Sequence, residues 1–182
     1  ERSGGGRIRA VPVLPGRPVM PAYMRRLWQS GLCPFLVPAA FYEERGGTRL
    51  LLKTEGLIRV RDYAFVCPDG IEDSFCLLLE MLASAADSFS QLQRWLADPA
   101  YVSLRPDSLY YDRNKERCLL LFDEDADPRP FSERFCELCA GLGGSGELIA
   151  SRLSETCSFR VTEEKGASAF LRRWRSEILS GL

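Results

Sequence analysis

Three short stretches carry residue types at spacings that support chemistry. Cys136-Glu137-Leu138-Cys139 sets two thiols at CxxC spacing, suited to redox exchange or to half of a tetrahedral zinc site. Redox work needs a depressed thiol pKa, best supplied at a helix N-terminus, whereas this pair falls inside an amphipathic helical pattern. A structural zinc needs a second such pair, and the sequence has none. Buried core thiols are the better reading. Gly141-Leu142-Gly143-Gly144-Ser145-Gly146 matches GxGxxG, which cradles phosphate when it follows a strand and opens a helix. Here it follows a helical pattern. Glu147 and Leu148 stand where a phosphate loop needs Lys and Ser or Thr, and a carboxylate there repels phosphate. The stretch reads as a helix–helix connection. Asp123, Glu124, Asp125 and Asp127 could ligate a divalent cation, but no glycine turn or bidentate Glu sits at EF-hand spacing, so a solvated acidic loop is expected.

Composition removes more. The chain has no histidine, which excludes Ser-His-Asp and Cys-His catalysis, HExxH metal sites and mixed Cys/His zinc sites. With 24 basic and 25 acidic residues the net charge is -1, so the general attraction to phosphate backbone that a nucleic-acid binder needs is missing. Seven cysteines, an odd and scattered set, fit a reducing cytosol rather than a disulfide framework. No apolar run approaches the roughly 20 residues of a bilayer span. At 182 residues, 46% apolar and 27% charged, the chain is expected to be one globular domain; it starts at Glu1 and reads as a fragment.

The segment Tyr101-Val102-Ser103-Leu104-Arg105-Pro106-Asp107-Ser108-Leu109-Tyr110-Tyr111-Asp112 says more. It resembles the catalytic loop and following strand of protein kinases, HRDLKPENILLD, keeping the Leu-basic-Pro-acidic core and the apolar strand that ends in Asp. The resemblance puts Ser103 where the catalytic base Asp belongs and Ser108 where the magnesium-binding Asn belongs; Tyr101 and Val102 replace the bracing His and Arg. A serine accepts a proton poorly at neutral pH and brings no carboxylate to magnesium. Ser103, Arg105 and Ser108 are therefore the positions of a degenerate loop, with no catalytic residue, cofactor or metal expected. Without the resemblance, Pro106-Asp107 is ordinary turn chemistry between two strands. Lys53, after Leu50 to Leu52, is a candidate for the phosphate-pairing lysine, with Glu72 or Glu80 as partner; a solvent-facing strand-end Lys is the alternative.

The elements that must position these residues follow from period and punctuation. Residues 1–20, rich in Gly, Pro and Arg, are expected to be a flexible leader, and residues 21–182 a single domain: 21–85 a sheet with a helix, 86–182 mostly helical with a short hairpin. Tyr23 to Ser30 reads as a helix stopped by Gly31. Phe35 to Glu44 and Thr48 to Thr54 read as strands around Arg45-Gly46-Gly47, glycines that suit a tight hairpin. Leu57 to Val66 alternates and reads as extended. From Ile71 the period becomes 3.6, with Phe75, Leu78, Leu79 and Leu82 on one face, and Ser88 with Gln91 has capping-box spacing for a second helix. Tyr101 to Leu104, Leu109 to Asp112 and Arg117 to Phe122 read as short strands. Helices are expected over Phe131 to Ala140, Glu147 to Thr156 and Ala167 to Leu179. The order is that of an α+β fold with a small antiparallel sheet and a mostly helical C-terminal half.

Across Tyr23 to Leu179 the chain resembles the kinase-like domain of unknown function that precedes forkhead-associated domains in Gram-positive proteins. The carriers are the Phe41-Tyr42 strand with its Gly-Gly turn, the helix from Ile71, Trp95-Leu96-Ala97-Asp98 leading into Leu104 to Asp112, and a closing helix with Phe170, Leu171 and Trp174. That family is similar to the cytoplasmic pseudokinase domain of the EssB/YukC component of type VII secretion. The resemblance implies a reduced protein-kinase-like fold and a cytoplasmic, non-catalytic signalling or scaffolding module. That module would bind a protein partner and no nucleic acid, insert no segment of its own into a membrane, and sit beside a forkhead-associated module in a longer chain. It leaves two alternatives: a nucleotide-binding regulatory pseudokinase, and a subunit domain of a type VII secretion-like apparatus. Trp28, Trp95 and Trp174 are candidate anchors for a partner, though helical spacing also suits them to the core.

Overall fold

The computed structural model describes residues 7–11, 20–44, 47–66, 72–157 and 164–181. The elements run β1 (Arg7–Val11), α1 (Ala22–Ser30), β2 (Ala39–Glu44), β3 (Gly47–Leu52), β4 (Leu57–Arg59), α2 (Val60–Val66), α3 (Glu72–Gln93), β5 (Val102–Ser103), β6 (Tyr110–Asp112), β7 (Arg117–Leu119), β8 (Leu121–Phe122), α4 (Phe131–Ala140), α5 (Ser145–Cys157) and α6 (Glu164–Leu179). This is an α+β architecture. Its antiparallel sheets are small: β1-β3-β2, β4-β6-β7 and the pair β5-β8.

The N-terminal part forms as its pattern dictates. α1 ends at Gly31, whose φ of 64° is costly for any residue with a Cβ, and the Gly31 N–H closes the helix on Trp28 O. β2 and β3 pair in antiparallel register, Phe41 opposite Leu50, while Arg45 and Gly46 of the turn lie outside the described residues. Leu50 and Leu52 point into the core, where Phe41 meets Trp28 edge-on at 5.4 Å. Within the stretch expected to be an unstructured leader, Arg7–Val11 is a strand on the outer edge of β3. Composition hid it, because five residues among glycines and prolines show no period of their own.

Two further expectations are corrected. Leu57 to Val66 is not one extended stretch. The strand stops at Arg59, where the Val60 N–H bonds Leu109 O at 3.0 Å, and Asp62 in the first turn of α2 takes the Arg59 guanidinium at 2.9 Å. Nor does a new helix begin at Ser88. α3 runs unbroken through Ala83, Ala85 and Ala86, strong helix formers with no Gly or Pro between them, and Ser88 lies well inside it. Its hydroxyl has another partner. Cys118 on β7 turns its N–H and C=O away from β6; Ser84 Oγ accepts from that N–H at 2.8 Å, and Ser88 Oγ donates to that carbonyl at 2.7 Å. Serines four apart lie on one helix face, so α3 covers the sheet edge and satisfies its backbone at once. The Cys118 thiol donates to Met81 O at 2.9 Å, and burial pushes its pKa well up.

Arg117 to Phe122, expected as one strand, is divided between partners. β7 pairs with β6, Leu120 bridges to Leu36 in parallel, and β8 pairs with β5. α3 also packs along α6, where Phe75, Phe170 and Trp174 form an aromatic cluster, and α4 packs on α5. At its C-terminal end α3 closes through Leu96 N–H to Gln93 O and Ala97 N–H to Leu92 O, the bonding of a Schellman motif. The left-handed residue there is Leu96 at φ 58°, where a glycine avoids a cost of about 1–2 kcal/mol.

Ser88→Ala leaves the buried Cys118 carbonyl without a donor, and Ser84→Ala leaves its N–H without an acceptor. Each is expected to lower the unfolding free energy by about 1–3 kcal/mol. Urea unfolding should show a reduced midpoint at unchanged slope.

Candidate functional site

The segment from Tyr101 to Asp112 lies largely within the core. Leu104 and Ser108 through Asp112 are buried, and the 3₁₀ turn Pro106–Ser108 is held from outside by Arg61, whose Nη1 reaches both Asp107 oxygens at 2.7 and 2.8 Å. Ser103 and Ser108 are brought together. Both are buried, and Ser103 Oγ donates to Ser108 Oγ at 2.8 Å, so each hydroxyl is the other's partner. Arg105 is turned outward, 60% exposed, and pairs with Asp123 at 3.3 Å. Asp112 ends β6 and accepts from the Asn114 and Lys115 N–H groups, so it shapes the turn to β7.

The acidic stretch after β8 folds back on this segment. Asp123 N–H bonds Tyr101 O and Asp127 N–H bonds Ala100 O, both at 2.7 Å. Arg134 enters from α4. Only 4% exposed, it donates to Pro99 O at 3.0 Å and to Val102 O, lies 3.5 Å from Asp127, and sits over the Phe89 ring at 5.8 Å. Burial lowers its pKa from the usual guanidinium range, yet an arginine stays charged in proteins. The Arg129 hydrogen bonds, with help from Arg134, hold Asp127 down at about 2. Glu124 goes the other way: burial raises its pKa despite Arg25 at 3.7 Å. Asp127, Arg129 and Arg134, with Ser103, Arg105 and Asp123, line a cavity of about 110 Å³. Pockets that take drug-sized ligands usually measure about 300–1,000 Å³.

The remaining candidates resolve one by one. Lys53 is exposed, and Glu80 is engaged by Arg172 and Arg175 on α6 rather than by Lys53; the Glu72 side chain lies outside the described residues. Cys136 is half-buried, Cys139 fully so, and burial drives the Cys139 thiol far above its ordinary value, away from reactivity. Among the described residues no three Cys, Asp or Glu side chains converge as a metal site would require. Gly141 to Gly144 joins α4 to α5, and the rest of the GxGxxG stretch, Ser145 and Gly146, is the start of α5. Its last glycine is steric: a Cβ on Gly146 would stand 2.2 Å from Cys139 O. The tryptophans divide, Trp28 and Trp174 in the core and Trp95 37% exposed.

No family model matches the chain, and no curated protein matches its sequence. A solved structure matches its fold. The cytoplasmic fragment of Staphylococcus aureus EssB superposes with a TM-score of 0.52 at 15% identity, over 92% of this chain and 98% of that fragment. At such identity the likeness is one of architecture. The EssB likeness read from the sequence is therefore present as a shared fold. No helix among the described residues is long and apolar enough to cross a membrane.

Sequence reasoning missed Arg134 and Leu96. The first had a signal: it falls between Phe131, Phe135 and Leu138 on the apolar face of α4, and a charge in such a stripe needs a buried partner. Leu96 had a weaker one, an apolar residue directly after the helix, where glycine is the usual choice.

Two outcomes follow. The Asp127 carboxyl titrates at 3.8 unfolded and about 2 folded, so its pairing contributes fully above about pH 4 and is lost as pH falls from there towards 2. Asp127→Asn should be less stable than the parent chain at pH 6, with the gap narrowing through pH 4 to 3 in chemical denaturation. Gly146→Ala should destabilise by about 1–3 kcal/mol, because moving a backbone carbonyl outweighs the helix propensity that alanine adds. A thermal melt checks it.

Proposed function

We propose that the chain is a non-catalytic, protein-binding domain with a degenerate kinase-like centre, working as a subunit domain of a type VII secretion-like apparatus. What carries the reading is the end-to-end fold likeness to the EssB fragment, which covers 92% of one chain and 98% of the other and so leaves no large element unaccounted for. The geometry of the centre supports the non-catalytic part. Where the kinase wording has a base and a metal ligand, two hydroxyls bond each other at 2.8 Å, and Asp123 is neutralised by Arg105 at 3.3 Å. The adjoining cavity of about 110 Å³ is small for a nucleotide. A fold hosts many functions, so the apparatus must be tested directly.

The test is purification of the tagged full-length protein, after in-cell crosslinking, from the cells that make it. Recovery of the membrane components of a secretion apparatus is expected. Recovery of phosphothreonine-signalling proteins with a forkhead-associated module in the same chain would move the domain to signalling. Alongside, ATP with magnesium should leave the unfolding temperature unchanged, whereas a nucleotide present at about 100 times its dissociation constant would stabilise by about 2.7 kcal/mol.

A further inference from the structure

The fold covers one sheet edge and leaves another bare. Ser84 and Ser88 close the edge of β7, whereas β2 is an edge strand of β1-β3-β2. The bonding shows which groups lie on its outer side. Lys53 N–H donates to Pro38 O at 2.8 Å, so in the β2–β3 register Ala40 and Tyr42 bond β3, and Ala39, Phe41 and Glu43 turn their N–H and C=O outward. The residues before them follow the same alternation: Phe35 O and Val37 N–H bond Leu120, and Val37 O takes the Trp28 indole N–H at 2.7 Å. Among the described residues, no hydrogen bond reaches the outward groups of Ala39 or Phe41.

α1 packs on the face of this sheet rather than along the edge. Trp28 meets the Phe41 ring edge-on at 5.4 Å, and the Arg25 guanidinium lies 5.4 Å from the same ring. Tyr42 alternates to the opposite face and is 54% exposed. The strand also lacks the devices that ordinarily blunt an edge: Ala39 to Glu44 pairs residue for residue with no bulge, and Ala39 to Tyr42 includes neither proline nor lysine.

We propose that β2 pairs antiparallel with β2 of a second copy of this chain, joining two β1-β3-β2 sheets across a two-fold axis at Phe41. The strand is complementary to itself in this register, as a two-fold interface requires. Ala39 meets Glu43 of the second copy and Phe41 meets its own counterpart, so every outward group of the strand gains a partner. Tyr42 falls opposite Ala40 of the second copy, a large side chain over a small one. The neighbouring registers do worse. An axis one residue earlier sets Glu43 against Val37, whose groups are already taken, and one residue later leaves Ala39 past the strand's end at Glu44. Two later sets Glu43 against Glu43, like charges directly opposed. The inference goes beyond the proposed function and stands without it.

Sedimentation velocity of the 182-residue chain over about 1–500 μM tests it, a range that reaches the affinities of small interfaces. The parent chain should pass from monomer to dimer as concentration rises. The double variant Ala40→Lys, Tyr42→Lys sets lysines opposite each other and should weaken the dimer about tenfold or more, as should Ala40→Glu, Tyr42→Glu. An equimolar mixture of the two should dimerise again, because lysine then meets glutamate; a variant that had only lost its fold would not be rescued by mixing. The register has its own readout. Under mild oxidation Ala40→Cys mixed with Tyr42→Cys should crosslink, and neither alone should crosslink beyond the parent chain. A parent chain that stays monomeric throughout, a dimer indifferent to the charged pairs, or Tyr42→Cys crosslinking to itself would overturn the proposal. So would a monomeric parent chain whose charged variants lose a co-purifying protein, since β2 would then pair with a strand of that protein.

Discussion

The fold depends on how the backbone of Arg117 to Phe122 is satisfied. A buried run cannot leave N–H and C=O groups unpaired, and here separate parts of the chain divide the work: β6, the serines of α3, Phe35 to Val37, and β5. Each bond also places the element that makes it. The N-terminal region is fixed through Phe35 O and Val37 N–H, α3 through Ser84 and Ser88, and the Tyr101 to Asp112 segment through Val102 and Ser103. A single regular strand could not do this, because a regular edge recruits one neighbour on each side. Dividing the run is what lets sheets of two or three strands hold together a domain of this length.

The buried charge of Arg134 extends the same logic to the C-terminal half. A guanidinium with 4% exposure is stable only when its donors are occupied, and Pro99 O, Val102 O and Asp127 occupy them. The carbonyls belong to the segment just before Ser103 and the carboxylate to the loop after β8, so one side chain ties α4 to both. Arg129 then holds Asp127 from the solvent side at 2.8 Å. The acidic stretch that looked like a candidate cation loop is in this way consumed by arginines of the same chain, Asp123 by Arg105 and Asp127 by Arg129 and Arg134.

Much of the fold could be read from local physics. The helix ending at Gly31, the pairing of β2 with β3, and α4 to α6 all follow from period and from residues whose conformational limits act within a few positions. The failures share a cause. Ser88 looked like a cap because serine is a good cap, and only the distant carbonyl of Cys118 makes it a mid-helix residue. The strand at Arg7 to Val11 takes its order from β3, some forty positions on. Val60 turns helical where Leu109 captures its N–H. In the candidate centre, the identities of Ser103 and Ser108 were legible, but their mutual hydrogen bond was not, since the turn at Pro106 had to be folded to bring them within reach.

The two glycine-related surprises bear on function in opposite ways. Gly146 belongs to a pattern associated with phosphate, yet its missing Cβ serves the approach of α5 to Cys139 O, so a functional motif has a packing explanation. Leu96 sits where packing asks for glycine and receives a bulky apolar side chain instead, so a packing motif calls for a functional explanation. The centre of the molecule, where an enzyme would keep open space and free charge, has hydroxyls bonded to each other and carboxylates paired with arginines.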